Sequence, residues 1–188
     1  MPLTRDEVLA VAVATLDAYG FADLSMRKLA GALEVQPSAL YWHFANKQTL
    51  LAAIAESWLG SVPAPDATSA WDEQVRAWAH GLRGVLTAHR DGAELVASVL
   101  AMRAESVDPT RGLVAVLHQA GLRAPAARAA AATVLHFVMG HTVDEQGHAQ
   151  MRAFGVAPAT GGVPDDPDER FDYGLGLLVE GIRSRLPA

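Results

Sequence analysis

An all-α fold is the class this sequence predicts, and three observations predict it. Apolar residues recur at helical spacing over long stretches. Ala, Leu and Val dominate an apolar content of 51% that includes only five Phe and three Tyr, a balance suited to close-packed helices rather than β-sandwiches. Helix-starting and helix-stopping residues also punctuate the chain throughout. With 188 residues there is enough chain to bury a real core, in one or two domains.

The first helix opens with Thr4 and Glu7, a capping box, and carries Val8, Val11, Ala12, Leu16 and Tyr19 inward until Gly20 stops it. Arg5, Asp6, Glu7 and Asp17 sit at helical spacing around its apolar run, so it is amphipathic and neither a signal peptide nor a membrane span. After the "GFADL" turn, Ser25 caps a short second helix with Leu29, Ala30 and Leu33 inward and Arg27 and Lys28 outward. A turn around 34–36 leads to Pro37, a good first helical position, and a third helix of barely two turns, "SALYWHF". Asn46 caps the fourth, whose Leu50, Leu51, Ile54 and Trp58 stripe ends at Gly60. The Pro- and Ser-rich stretch 61–69 is a joint.

Beyond the joint, Trp71, Val75, Trp78, Ala79, Leu82, Val85 and Leu86 mark a long helix, and "GAELVASVLAM" a shorter one. The next is expected to start with Asp108 as cap and Pro109 in first position and to close at Gly121. Pro125 starts a helix running to about 150 that is apolar on more than one face between Val134 and Val143, as expected for burial against its own domain and something else. A Gly- and Pro-rich loop over 155–167 precedes a last helix striped with Phe171, Leu175, Leu178, Val179, Ile182 and Leu186. Gly174, Gly176 and Gly181 are interleaved with that stripe, which points to a close helix–helix approach.

Charge and composition narrow the function classes. A formal net charge of −6 argues against coating nucleic acid by charge alone, which needs clustered cations. Within residues 1–50 the balance is near neutral, four Lys and Arg (Arg5, Arg27, Lys28, Lys47) against five acids (Asp6, Glu7, Asp17, Asp23, Glu34). Three of those cations fall between 27 and 47, with His43 among them. The absence of cysteine excludes disulfides and thiolate metal sites and suits a reducing cytoplasm.

Helices two and three, over about 25–44, have the proportions of a helix-turn-helix whose second helix enters the DNA major groove. Tyr41, His43 and Lys47 are then placed to contact phosphates, Gln36, Ser38 and the Trp42 ring to lie near base edges, and Arg27 and Lys28 to add cationic contacts. The bland alternative packs every ring into the head. Leu40 and Phe44 match the inward stripe and are assigned to that role; Tyr41 and Trp42 lie on the other side.

These residues carry a specific resemblance. "SMRKLAGALEVQPSALYWHFANKQTLLAAI", 25–54, resembles the DNA-binding domain of the TetR family of bacterial repressors, and "LTAHRDGAELV" (86–96) with "HFVMGHTVDEQGHAQ" (136–150) resembles the core of its tetracycline-repressor subgroup. The resemblance implies a DNA-binding head at 1–60 and a helical effector-binding and dimerisation body at 61–188. It also implies a homodimer on a palindromic double-stranded operator, and a dimer interface built from the last two long helices. A small molecule among the middle helices would release the DNA, with Trp78, Leu82, Val96, Leu100, Met102, Leu113, Leu117, His136 and Met139 as candidate lining.

Tetracycline does not suit that lining. The family's metal-chelating histidine aligns with Val96, its drug-gripping asparagine with Trp78, and its Arg-Pro pair with Leu100 and Ala101. A more apolar effector, with no metal and no cofactor, is expected. His141, Asp144 and His148 share one helical face at i, i+3, i+7, and Asp144 aligns with an acidic metal-shell residue of the family, so the stripe is either a metal site or a solvated or interfacial polar face. Two further readings stand beside the regulator. One is a helical metallo-hydrolase using His136, His141, Asp144 and His148, without a nucleophile elbow, phosphate loop or HExxH motif; the other is a regulator with a filled core and no effector.

Overall fold

The computed structural model describes residues 3–102, 108–156 and 166–187, and among them the secondary structure is entirely helical. The described residues form nine helices in order: α1 (Arg5–Tyr19), α2 (Met26–Ala32), α3 (Pro37–Tyr41), α4 (Lys47–Gly60), α5 (Trp71–Thr87), α6 (Gly92–Ala101), α7 (Arg111–Gln119), α8 (Ala124–Ala153) and α9 (Pro167–Arg183). Most of the loop expected over 155–167 lies outside the described residues.

Two compact units divide the chain. The first holds 1–61 with 85–107, and the second 62–84 with 108–188. The packing division therefore differs from a cut at 60: α6, which belongs by sequence to the body, shares a unit with the head because it packs on α4.

In the first unit, local chemistry starts each helix. Thr4 and Glu7 form the capping box, with the Glu7 backbone N–H donating to Thr4 Oγ1 at 3.2 Å and Thr4 N–H to Glu7 Oε2 at 2.8 Å. Ser25 Oγ accepts from Lys28 N–H at 3.2 Å, and Asn46 Oδ1 from Thr49 N–H at 2.8 Å, which the Thr49 hydroxyl reciprocates. Val8, Ala12, Leu16, Leu24, Leu29, Leu40, Phe44, Leu50 and Ile54 make the core beneath these caps. Removing one such cap costs about 1 kcal/mol.

In the second unit α7 and α9 both pack on α8, around Val75, Leu82, Leu113, Leu117, Ala131, Val134, Val138, Phe171, Leu175 and Val179. An ion cluster caps this core. Arg83 holds Glu145 through two bonds of 2.9 Å and Asp168 through one of 2.7 Å, and its guanidinium lies 4.9 Å from the centre of the Phe171 ring.

Three expectations are corrected here. The seventh helix starts at Arg111, not Pro109, because the Asp108 carboxylate accepts the Thr110 N–H (3.0 Å) and hydroxyl (2.8 Å) and closes a turn before the helix. The third helix is shorter than two turns, since His43 N–H turns back to the Leu40 carbonyl and tightens its end. Within the chain, only Gly174 of the three glycines in α9 meets a close neighbour: a Cβ there would stand 2.5 Å from the Phe137 ring, whereas nothing of the same chain lies within 4 Å at Gly176 and Gly181.

Candidate nucleic-acid interface

The helix-turn-helix is built by α2 and α3. Val35 N–H reaches back to the Ala30 carbonyl at 3.0 Å, and Glu34 takes a left-handed conformation (φ 54) that reverses the chain between the two helices. Pro37 then presets the first turn of α3. Leu40 and Phe44 are sealed beneath it, at 0% and 2% exposure, while Tyr41 is 51% and Trp42 89% exposed. The segment 40–44 thus separates its large side chains by face: Leu40 and Phe44 hold the head together, and Tyr41 and Trp42 project into solvent.

The other expected contact residues share this unit. Arg27, Gln36 and Ser38 are exposed, and Lys28, His43 and Lys47 half-buried. Gln36 is the residue before α3 and spends no side-chain bond on capping it. The two lysines are held differently. Lys28 Nζ sits 3.9 Å from the centre of the Tyr19 ring and 3.5 Å from Asp23 Oδ1, so its charge is partly matched already. Lys47 Nζ lies 5.1 Å from the centre of the Phe21 ring, and no carboxylate pairs with it among the described residues.

Sequence reading did not single out Phe21 or the start of α6. Gly20 ends α1 at φ 89, and the next N–H, that of Phe21, donates to Asp91 Oδ2 at 2.8 Å. Asp17 receives the Arg90 N–H at 3.1 Å and faces His89 Nδ1 at 3.1 Å, and the His89 ring stacks on Trp58 with centres 4.2 Å apart. No spacing rule links residues some seventy positions apart.

The candidate effector residues fall in both units. In the first, Val96 is fully buried, Leu100 half-buried and Met102 44% exposed; in the second, Trp78, Leu82, Leu113, Leu117 and Met139 are buried. His136 is exposed, on an outward seam of α8 that repeats as Thr133, His136, Gly140, Val143 and Gly147. Near it, an apolar groove of about 760 Å³ runs along α8 and α9, lined by Ala126, Ala130, Val134, Leu177, Ile182 and Leu186 among others.

The polar stripe of α8 does not converge on a metal. His141 Nε2 lies 3.1 Å from the Pro167 carbonyl, Asp144 faces His148 at 3.3 Å and Arg170 at 3.9 Å, and no group of three or more metal-ligating acids and histidines is assembled among the described residues. Burial first, and the nearby Arg83 next, hold the His141 imidazole below its ordinary pKa. The metallo-hydrolase reading loses its ligand set. Among the described residues no helix is long and apolar enough to cross a membrane.

Comparison with known proteins agrees with this geometry. Residues 8–54 match the model for bacterial regulatory proteins of the tetR family, and 63–160 that for the tetracyclin repressor-like C-terminal domain. The class A tetracycline repressor protein from transposon 1721 of Escherichia coli is 32% identical, covering 97% of this chain and 92% of the relative. The crystal structure of Mycobacterium smegmatis BioQ superposes with a TM-score of 0.86 at 40% identity, covering 97% of this chain and 98% of BioQ. A crystal structure of BioQ with its natural double-stranded DNA operator superposes at 0.78, with 38% identity and coverage of 97% and 99%.

Proposed function

The chain belongs to the TetR family of bacterial regulatory proteins, and we propose on that basis that it acts in the cytoplasm as a homodimeric repressor, released from a palindromic operator by a small, mainly apolar molecule. The observation that carries the DNA-binding part is the outward presentation of Tyr41 and Trp42 at the end of α3, where Leu40 and Phe44 are buried. A ring exposed to 89% at the tip of a short helix has no packing role in its own chain. In a major groove it meets base edges and thymine methyls. BioQ, which shares this fold, has been captured with its operator.

Dimerisation is supported by the second unit. The α8 seam recurs at alternating three- and four-residue steps, the spacing that keeps one stripe facing a partner helix. On α9, Tyr173 (73%) and Leu177 (60%) are exposed beside it. Gly140, Gly147 and Gly181 leave open space for another backbone to approach. In a two-fold dimer these surfaces cover each other and set the distance between the heads, which is what couples the body to operator spacing.

Residue chemistry supports an apolar effector. Trp78 in the second unit and Val96 in the first are both buried, and neither carries a carboxylate or imidazole. Such a ligand acts by preferring the conformation that does not fit DNA.

Selection of genomic fragments by the purified protein, followed by binding titrations at several salt concentrations, tests the reading. Lys47→Ala weakens binding to every sequence and lowers the salt slope by about one unit per head, and Tyr41→Ala weakens it as well. Unchanged affinity in both variants refutes the interface. In a thermal-shift screen, apolar compounds raise the melting temperature whereas tetracycline with Mg²⁺ does not; stabilisation by tetracycline–Mg²⁺ alone refutes the effector class.

A further inference from the structure

We propose that Phe21 is a positioning residue for operator binding, its ring holding the Lys47 ammonium ready for a backbone phosphate. The proposal rests on the operator reading above. Lys47 is the first residue of α4, and the Asn46–Thr49 capping box fixes its backbone. Its side chain is a long flexible stem, and a stem free to sample many rotamers loses that freedom when a phosphate captures its end. A ring already under the ammonium lowers this loss, because the bound geometry is populated before DNA arrives.

The geometry has the parts such a device needs. Nζ stands 5.1 Å from the centre of the Phe21 ring, within reach of the negative face of the π system. The backbone that carries the ring is held, since the Phe21 N–H is bonded to Asp91 Oδ2 at 2.8 Å. That bond needs Gly20, because a Cβ at position 20 would come within 2.8 Å of the same oxygen. Lys28 shows the contrast: with Asp23 at 3.5 Å as well as a ring, its charge is already answered by a carboxylate that a phosphate would have to displace. A ring attracts the lysine without neutralising it, so the full charge stays available.

The test is a double-mutant cycle between positions 21 and 47, read as affinity for a duplex carrying the sequence that the wild-type protein selects. Phe21→Leu keeps an apolar side chain and removes the ring face; it lowers affinity about two- to fivefold per head, the size of a partly exposed cation–π contact. Phe21→Tyr retains wild-type affinity. In a Lys47→Ala background, Phe21→Leu causes no further fall. An equal fall in both backgrounds overturns the proposal, as does a Phe21→Tyr as damaging as Phe21→Leu, since either result makes position 21 merely structural. Wild-type affinity in Lys47→Ala removes the phosphate contact itself and overturns the proposal through the operator reading. Where Phe21→Leu fails to fold, pentafluorophenylalanine at position 21 reverses the ring's charge distribution at nearly constant shape. The same two- to fivefold loss is expected from it, and unaltered affinity overturns the proposal.

Discussion

Gly20→Ala tests both the stability of the first unit and the bond that fixes the Phe21 backbone. Gly20 combines φ 89 with ψ 169, a backbone region populated almost only by glycine, so any side chain there costs on the order of 1–3 kcal/mol. The added methyl would also stand 2.8 Å from Asp91 Oδ2 and 3.3 Å from Arg90 Nε. The carboxylate must then retreat from the Phe21 N–H, and losing a hydrogen bond to a charged acceptor costs about 1.5–3 kcal/mol. For a chain of this length each kcal/mol lowers the melting temperature by about 2–4 °C, so the variant should melt about 5–20 °C below wild type. Gly31→Ala is the control: that glycine lies inside α2 with nothing within 4 Å of the new methyl, and alanine there stabilises by up to about 1 kcal/mol. Melting curves followed by helical circular dichroism at equal protein concentrations make the comparison. A Gly20→Ala protein that melts within about 2 °C of wild type would refute both the strain and the loss of the Phe21–Asp91 bond.

Substituting Gln36 or Ser38 by alanine should change which bases are preferred at particular operator positions, by about 1–3 kcal/mol where a base contact is lost, while leaving binding to mixed-sequence DNA intact. Parallel selections with each variant show this, and an unaltered recovered sequence in both contradicts it. Leu177→Glu places a charge on the exposed face of α9 beside the groove; sedimentation should show the dimer dissociating at concentrations at least tenfold higher, with helicity retained. A dimer of unchanged affinity places the interface elsewhere. The folded-state pKa of His141 is depressed below the ordinary 6.5, so the unfolded chain takes up this proton more readily. The stability linked to it is complete above about pH 6.5 and declines as pH falls through the unfolded value towards the lower folded one. His141→Leu should flatten the melting-temperature profile on the acidic side, and an unchanged slope there would discount the burial.

Most of the head was legible in the sequence because its signals are local. Thr4, Ser25 and Asn46 each mark a helix start through a partner three residues on and Pro37 through its fixed φ, and the outward turn of Tyr41 and Trp42 follows from Leu40 and Phe44 occupying the inner face of the same segment. The start of α7 was misplaced for an equally local reason: an Asp before a Pro reads as a cap, but its carboxylate was taken by Thr110. The polar stripe on α8 was visible as a stripe, yet its partners were not, since His141 meets the Pro167 carbonyl 26 residues away.

By itself, then, the order of residues determined the helical class, the starts of the first four helices and the face on which Tyr41 and Trp42 stand, because capping and amphipathic burial act within one or two turns. Only the tertiary structure decided which distant groups meet: Asp91 with Phe21, Arg83 with Glu145, Gly174 with Phe137. These pairings lie 70, 62 and 37 positions apart. Their energy comes from desolvated contact and a backbone able to approach closely, and neither exists until the helices have packed.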